Sequence, residues 1–277
     1  MSQFPIIYTL FGLIFGSFLN VCIYRIPRRE SIVFPGSHCP HCDQPIRPID
    51  NVPLLSYLWL MGKCRSCGKP ISPQYPLVEL LTALCFFFCA ERWDVASPTF
   101  LNSAFLAVVT VLVFIDFHHQ ILPNILTLPG TLLGILLCPL QDSSLFRDTL
   151  TMNLASLLSP DNADRLLPWV GSIFGAGIGA GMLWLVETAY RLVRKRQGLG
   201  MGDVKMMAMI GAFLGWRLVL LTVFAGSFLG SIVGILLICF RGKNLQTKLP
   251  FGTFLGIGAA LALFYGLAFV SWYVGPR

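Results

Sequence analysis

The sequence predicts an all-helical, polytopic membrane protein, and two observations carry that prediction. Of its 277 residues, 55% are hydrophobic and only 12% charged, with a mean hydropathy of +0.73. A water-soluble domain carries about twice that share of charge. Apolar stretches long enough to cross a bilayer, roughly 20 residues each, also recur along the chain. They fall at 4–24, 77–95, 99–117, 121–140, 167–190, 203–216, 217–240 and 252–274, giving about eight transmembrane helices. The sixth is short and glycine-interrupted, the weakest of the set. The organisation expected is a first transmembrane helix at 1–24, a basic cytoplasmic loop at 25–76 and a multi-helix membrane domain at 77–277.

The first segment has no Lys or Arg before Arg25, so its N-terminus is expected outside. It lacks the basic flank and small-residue cleavage site of a signal peptide. Eight spans from an outside start place loops 25–76, 118–120, 191–202 and 241–251 in the cytoplasm. Those loops and their edges hold fifteen basic residues: Arg25, Arg28, Arg29, Arg47, Lys63, Arg65, Lys69, Arg191, Arg194, Lys195, Arg196, Lys205, Arg241, Lys243 and Lys248. The other side keeps five: Arg92, Arg147, Arg165, Arg217 and Arg277. The asymmetry agrees with the positive-inside rule. The net charge of +7 then belongs to membrane insertion and anionic lipid. Nucleic-acid binding is not expected, because no stacking platform is interleaved with the basic residues.

The loop after the first segment carries Cys39-Pro-His-Cys42 and Cys64-Arg-Ser-Cys67. Two CxxC knuckles bring four thiolates together and complete a closed tetrahedral site, which points to structural zinc. Disulfides are disfavoured in a reducing cytoplasm, and a redox role suits a single knuckle better than two. With four thiolates no coordination position is left for substrate, so the metal folds a small zinc-binding loop domain between the first and second helices. Pro40, Pro45, Gly62 and Gly68 are its turn formers. Cys22, Cys85, Cys89, Cys138 and Cys239 lie in apolar spans and read as small hydrophobes.

Two aspartates, Asp116 and Asp203, stand at the edges of apolar segments. A carboxylate at that depth is costly and marks a functional site by default. Under the eight-span topology both fall at the cytoplasmic boundary. Two neighbouring carboxylates sharing one proton can hydrolyse a peptide, the ionised one activating water and the protonated one donating. The bland readings are an interfacial helix end for Asp116 and a helix cap for Asp203. Gly200 and Gly202, which permit close approach of a substrate strand, and Pro123-Asn124, which mark a break after Asp116, favour a site. Lys205 is a candidate for orienting the acids or meeting substrate. His118 and His119 read as interfacial. Glycine stripes at 171–181 and 226–234 have the spacing of close helix packing in lipid and lack the Gly-Lys-Ser/Thr ending of a phosphate loop.

Gly200-Met201-Gly202-Asp203 with a partner aspartate resembles the GxGD intramembrane aspartyl proteases. The ordered set is more specific: Gly16-Ser17-Phe18-Leu19-Asn20-Val21, Arg25 and Pro27, the two knuckles, Pro76-Leu77-Val78-Glu79-Leu80, Ile115-Asp116 with Leu122-Pro123-Asn124, Gly200 to Lys205, and Pro250-Phe251-Gly252. Over nearly its whole length the chain resembles the bacterial type IV prepilin leader peptidases. That resemblance implies a bifunctional enzyme of the bacterial inner membrane. Such an enzyme cleaves the basic leader of prepilins and pseudopilins at the cytoplasmic face, then N-methylates the new N-terminal residue from S-adenosylmethionine. It also implies Asp116 and Asp203 as the catalytic pair, and Gly16, Asn20, Arg25 and Glu79 as candidates on the methyl-donor side. The rival classes are a proton-coupled transporter using the two aspartates and a non-enzymatic assembly factor docked through the cysteine loop.

Overall fold

The computed structural model describes residues 3–196, 198–241 and 249–274. Lys243, Lys248 and Arg277 of the charge count lie outside them. The nine α-helices of the described residues are α1 (Phe4–Arg25), α2 (Leu55–Trp59), α3 (Gln74–Trp93), α4 (Ser97–His119), α5 (Asn124–Leu137), α6 (Thr149–Leu158), α7 (Ala163–Arg194), α8 (Met201–Arg241) and α9 (Phe251–Val274). Six of these, α1, α3, α4, α7, α8 and α9, are long and apolar enough to cross a bilayer. The all-helical membrane class holds, with one departure from the eight expected segments. The stretch at 121–140 yields the 14-residue α5, about 20 Å long against a hydrocarbon core of about 30 Å. The sixth and seventh stretches are the two halves of α8, parted at the non-helical Gly215 as the sequence divides them.

The chain forms two compact units, Met1–Val111 and Leu112–Arg277. In the first, α1 lies against α3. Gly12 and Gly16, four residues apart, remove the side chains that would collide: a Cβ on Gly16 would stand 2.6 Å from the Glu79 Cα, and one on Gly12 2.8 Å from that of Ala83. This is small-residue packing of the kind that replaces the hydrophobic effect in lipid. At one end of the pair Phe4, Tyr8 and Phe86 stack, with centroids 5.2 and 5.0 Å apart.

In the second unit, α8 is central. Its first half meets α7 where Gly175 faces Gly211 and Gly179 faces Met207, and meets α5 where Gly130 and Gly134 lie against Met209 and Phe213. Gly177 and Gly181, off that stripe, face open space. The second half meets α9 through Gly226, Gly230 and Gly258. Between the halves Gly215 adopts φ 74°, ψ 169°, a region open essentially to glycine alone.

Contacts fix what the break does. Gly202, at the start of α8, and Gly252, at the start of α9, both lie against Leu122, while Gly234, late in α8, approaches Leu249. Both ends of α8 therefore lie at the same end of the unit, and the chain reverses at Gly215. The reversal is held by the 143–148 segment. Arg217 donates to the Ser144 and Arg147 carbonyls at 3.1 and 3.0 Å, and Trp216 Nε1 donates to Asp148 at 3.1 Å. Asp148 also caps α6 by accepting from the Leu150 and Thr151 N–H groups. Asp148 thus joins the reversal to the start of α6.

Candidate active site and metal centre

The metal candidate lies in the first unit, between α1 and α3. The Cys39, Cys42, Cys64 and Cys67 sulfurs lie within 4.8 Å of one another, and Cys39 Sγ is 4.0 Å from Cys67 Sγ. A tetrahedral ion with Zn–S bonds of about 2.3 Å needs sulfurs roughly 3.8 Å apart, so the donor set fits such an ion with small adjustment.

The two knuckles are the same motif, offset by 25 residues. Asp43 N–H donates to the Cys39 carbonyl and Gly68 N–H to that of Cys64, both at 2.9 Å. Cys39 N–H donates to the Gln44 carbonyl at 3.0 Å and Cys64 N–H to that of Lys69 at 2.9 Å. The turn residues Asp43 and Gly68 share a left-handed backbone, φ 54° and 68°. Glycine adopts it freely, and Asp is among the residues that tolerate it.

N–H groups of Cys67 and Ser66 hold the Cys64 thiol down to about 7. Cys42, although favoured as a thiolate by the Gln44 backbone, is pushed up to about 11 by burial and the surrounding sulfurs. Four such sulfurs cannot all ionise without a cation between them. Arg65, inside the second knuckle, makes a two-pronged pair with Asp50, its Nε at 2.8 Å and its terminal nitrogen at 2.6 Å.

The candidates of the methyl-donor side share this unit, and most are occupied structurally. Gly16 is needed at the α1–α3 crossing. Arg25 is 5% exposed and donates to the Ser31 and Gly36 carbonyls at 2.9 and 3.2 Å, folding the start of the loop. Glu79 accepts the Leu54 N–H at 2.8 Å, holding that residue at φ 59°. Asn20 donates to the Gly16 and Tyr75 carbonyls at 3.3 and 3.0 Å. Its Oδ1 is buried with no hydrogen-bond partner.

Asp116 and Asp203 lie in the second unit, both buried and within electrostatic range of each other. Asp116 ends α4. Its Oδ2 accepts the backbone N–H of Thr253 at 2.7 Å and the Thr253 hydroxyl at 3.1 Å. Asp203 stands in the first turn of α8 and reaches back to the Gly200 N–H at 3.3 Å, while its own N–H donates to the Gly200 carbonyl at 3.1 Å. Half a capping box is thereby formed, with Asp203 at the third helical position and not at the cap itself, where the bland reading puts it.

The words around the two acids converge on Leu122. A Cβ on Gly202 would meet the Leu122 Cβ at 2.9 Å. One on Gly252 would meet its Cδ1 at 2.9 Å and Asp116 Oδ2 at 3.0 Å. Gly202 therefore clears space for Leu122 in the packing of the site. Gly200 is exposed, and a Cβ there would meet only Asp203 Oδ2 at 3.4 Å and the Gly202 nitrogen at 3.9 Å. Lys205 donates to the Asn124 side chain at 2.9 Å, tying α8 to the residues after Asp116. His118 and His119 are exposed. Thr253 escaped the sequence reading, although it directly follows Pro250-Phe251-Gly252.

Residues 10–93 match the bacterial peptidase A24 N-terminal domain and residues 103–235 the type IV leader peptidase family. The chain is 36% identical to a prepilin leader peptidase/N-methyltransferase of Aeromonas hydrophila, covering 96% of this chain and 92% of that one. It is 35% identical to the protein of that name in Pseudomonas aeruginosa, over 93% and 89%. It is 39% identical to one in Myxococcus xanthus, over 87% and 65%. No solved structure matches. The first match spans the four cysteines and the second spans both aspartates, and the chain belongs to the type IV leader peptidase family.

Proposed function

We propose that this chain cleaves the leader peptide from prepilins and pseudopilins at the cytoplasmic membrane face and N-methylates the residue so exposed. The observation that carries the first half is the burial together of Asp116 and Asp203, in a chain of this family. In peptide hydrolysis one carboxylate takes a proton from water as its oxygen attacks the scissile carbonyl. The other donates a proton to the carbonyl oxygen, and collapse of the adduct releases the new amine. Gly200, exposed beside Asp203, is where the substrate backbone can come closest. Lys205 acts through Asn124, holding α8 against the 122–124 break. The excess of Lys and Arg on one side supports an inner-membrane enzyme with its N-terminus outside and its acids facing the cytoplasm.

For methyl transfer, S-adenosylmethionine supplies the methyl group when bound. Among the four candidates, Asn20 offers an unpartnered buried acceptor suited to an N–H donor of that molecule, and Glu79 stands one helix turn along α3 from the Tyr75 carbonyl that Asn20 holds. Gly16 and Arg25 shape the backbone around them. The four cysteines hold zinc, which folds the loop. No finding favours the transporter alternative.

Purified protein incubated with a prepilin, with and without S-adenosylmethionine, should yield mature pilin whose intact mass rises by one methyl group only when the donor is present. Asp116→Asn and Asp203→Asn should each abolish cleavage at undiminished protein level. Cleavage at the normal rate by either variant would overturn the two-aspartate reading and favour a non-enzymatic assembly role.

A further inference from the structure

We propose that Glu187 is a positioning residue for leader cleavage: its carboxylate clamps the Gly198–Leu199 backbone and thereby sets the segment that delivers Asp203. The proposal rests on Asp203 being one of the two catalytic carboxylates.

Glu187 lies near the C-terminal end of α7 and is 6% exposed, which a solvated carboxylate at a helix end would not be. Its Oε2 accepts two consecutive backbone N–H groups, those of Gly198 at 3.1 Å and Leu199 at 2.6 Å. Successive N–H groups converging on one point form an anion-binding concavity, and here a side chain of the same unit fills it. One turn further along α7, Tyr190 covers Gly198 so closely that a Cβ there would stand 2.5 Å from its ring. Two side chains of α7 therefore pin the segment before α8.

From that segment the connection to Asp203 is short. Gly200 follows Leu199 directly, its N–H donates to Asp203 Oδ2 at 3.3 Å, and its carbonyl accepts the Asp203 N–H at 3.1 Å. A shift of Gly198 and Leu199 passes to Gly200, whose N–H holds the Asp203 carboxyl and whose carbonyl holds the Asp203 backbone. Without Glu187 the two N–H groups lose their acceptor, and the segment must move to find another. Glu187 touches neither substrate nor the reacting atoms, so its effect is on geometry. Displacements near 1 Å remote from the chemistry can cost on the order of 10²-fold in rate.

The test uses the full chain, purified in detergent, with a prepilin substrate and initial rates read by intact mass. Glu187→Ala should lower kcat on the order of 10²-fold with KM changed less than about threefold, the pattern of a lost transition-state alignment. Glu187→Gln keeps an acceptor oxygen and should restore most of kcat. If Glu187→Ala does not accumulate folded, Glu187→Asp carries the test, since it withdraws the oxygen by one methylene and should lower kcat at normal protein level. A wild-type kcat in the folded Ala or Asp variant overturns the proposal, as does a Gln variant no better than Ala. So does a loss confined to yield and thermal midpoint. Asp203→Asn runs beside them: if it still cleaves, the dyad reading falls and this proposal with it. If it is inactive while Glu187→Ala is normal, only the role of Glu187 falls.

Discussion

Gly252→Ala is the sharpest perturbation of the proposed dyad, because its added methyl group would enter between Asp116 and the residue that spaces the site. The new Cβ would stand 2.9 Å from Leu122 Cδ1 and 3.0 Å from Asp116 Oδ2. Carbon atoms rest at about 3.5–4.0 Å, so the leucine contact is short by roughly 0.6–1 Å. Gly202 lies against the Leu122 Cβ, which limits how far that side chain can shift as a body. The strain is then relieved at Asp116 or at Thr253, whose N–H holds that carboxylate at 2.7 Å. A displacement of that size predicts a fall in kcat on the order of 10²-fold, about 2.7 kcal/mol of barrier. Thr253→Val supplies a calibrated companion. The Thr253 hydroxyl has one proton to divide between Asp116 Oδ2 at 3.1 Å and the Val113 carbonyl at 3.2 Å, and the shorter backbone bond survives the substitution. Its loss should cost about 1 kcal/mol, roughly fivefold in kcat, and Thr253→Ser should be close to wild type. The assay is initial-rate prepilin cleavage by intact mass, with thermal unfolding in the same detergent. A wild-type kcat for Gly252→Ala, or a larger effect from Thr253→Val than from Gly252→Ala, would refute the geometric reasoning.

Other perturbations separate scaffold from chemistry. Gly215→Ala forces a side chain into a glycine-only backbone region and sets its Cβ 3.1 Å from the Leu145 carbonyl; it should cost about 1–3 kcal/mol, seen as a lower thermal midpoint, with kcat of the folded protein retained. Purified protein should hold one zinc per chain by elemental analysis, and Cys39→Ser or Cys64→Ser should lose the metal and open the 26–73 loop to protease. The Arg65 guanidinium holds the Asp50 carboxyl below the usual carboxylate range. A group depressed on folding stabilises the fold above its unfolded pKa, near 3.9, and loses that contribution as pH falls through the folded value. The extra protease protection of the loop in wild type over Asp50→Asn should therefore persist from neutral pH down to about 4 and vanish below it.

The membrane class, the clustering of the four cysteines and the burial of the two carboxylates were legible because each rests on composition or spacing that no packing arrangement can disguise. Carboxylates and paired CxxC knuckles are too costly, or too specific, to be incidental. Glycines were the ambiguous letters. Gly16, in a word associated by resemblance with methyl transfer, is required by the approach of α1 to α3. Gly202, expected to admit a substrate strand, admits Leu122. Nothing local distinguishes a glycine that clears space for a ligand from one that clears space for its own chain, since both delete the same Cβ. Only the partner decides, and it lies far away in sequence. Thr253 was hidden for the same reason: a threonine in the first turn of an apolar helix has an ordinary look until Asp116, 137 positions earlier, arrives opposite its N–H.

The eight-segment count shows where one-dimensional reading reaches its limit. Hydropathy measures length, so it could place breaks near 216 and 250 but not say what the chain does there. At Gly215 a 41-residue helical run about 60 Å long would overshoot any bilayer if it continued straight. The positive φ, with Arg217 and Trp216 anchored on the 143–148 segment, reverses it instead and returns the chain to the Leu122 end. That return is what permits Thr253 to meet Asp116, because α9 can start beside the aspartates only if α8 has come back to them. The glycine turn at the far end of the unit and the hydrogen bonds on Asp116 are thus two consequences of one constraint. A dyad built from α4, α8 and α9 needs all three helices to begin or end on the same side, and α8 achieves this by crossing most of the bundle twice.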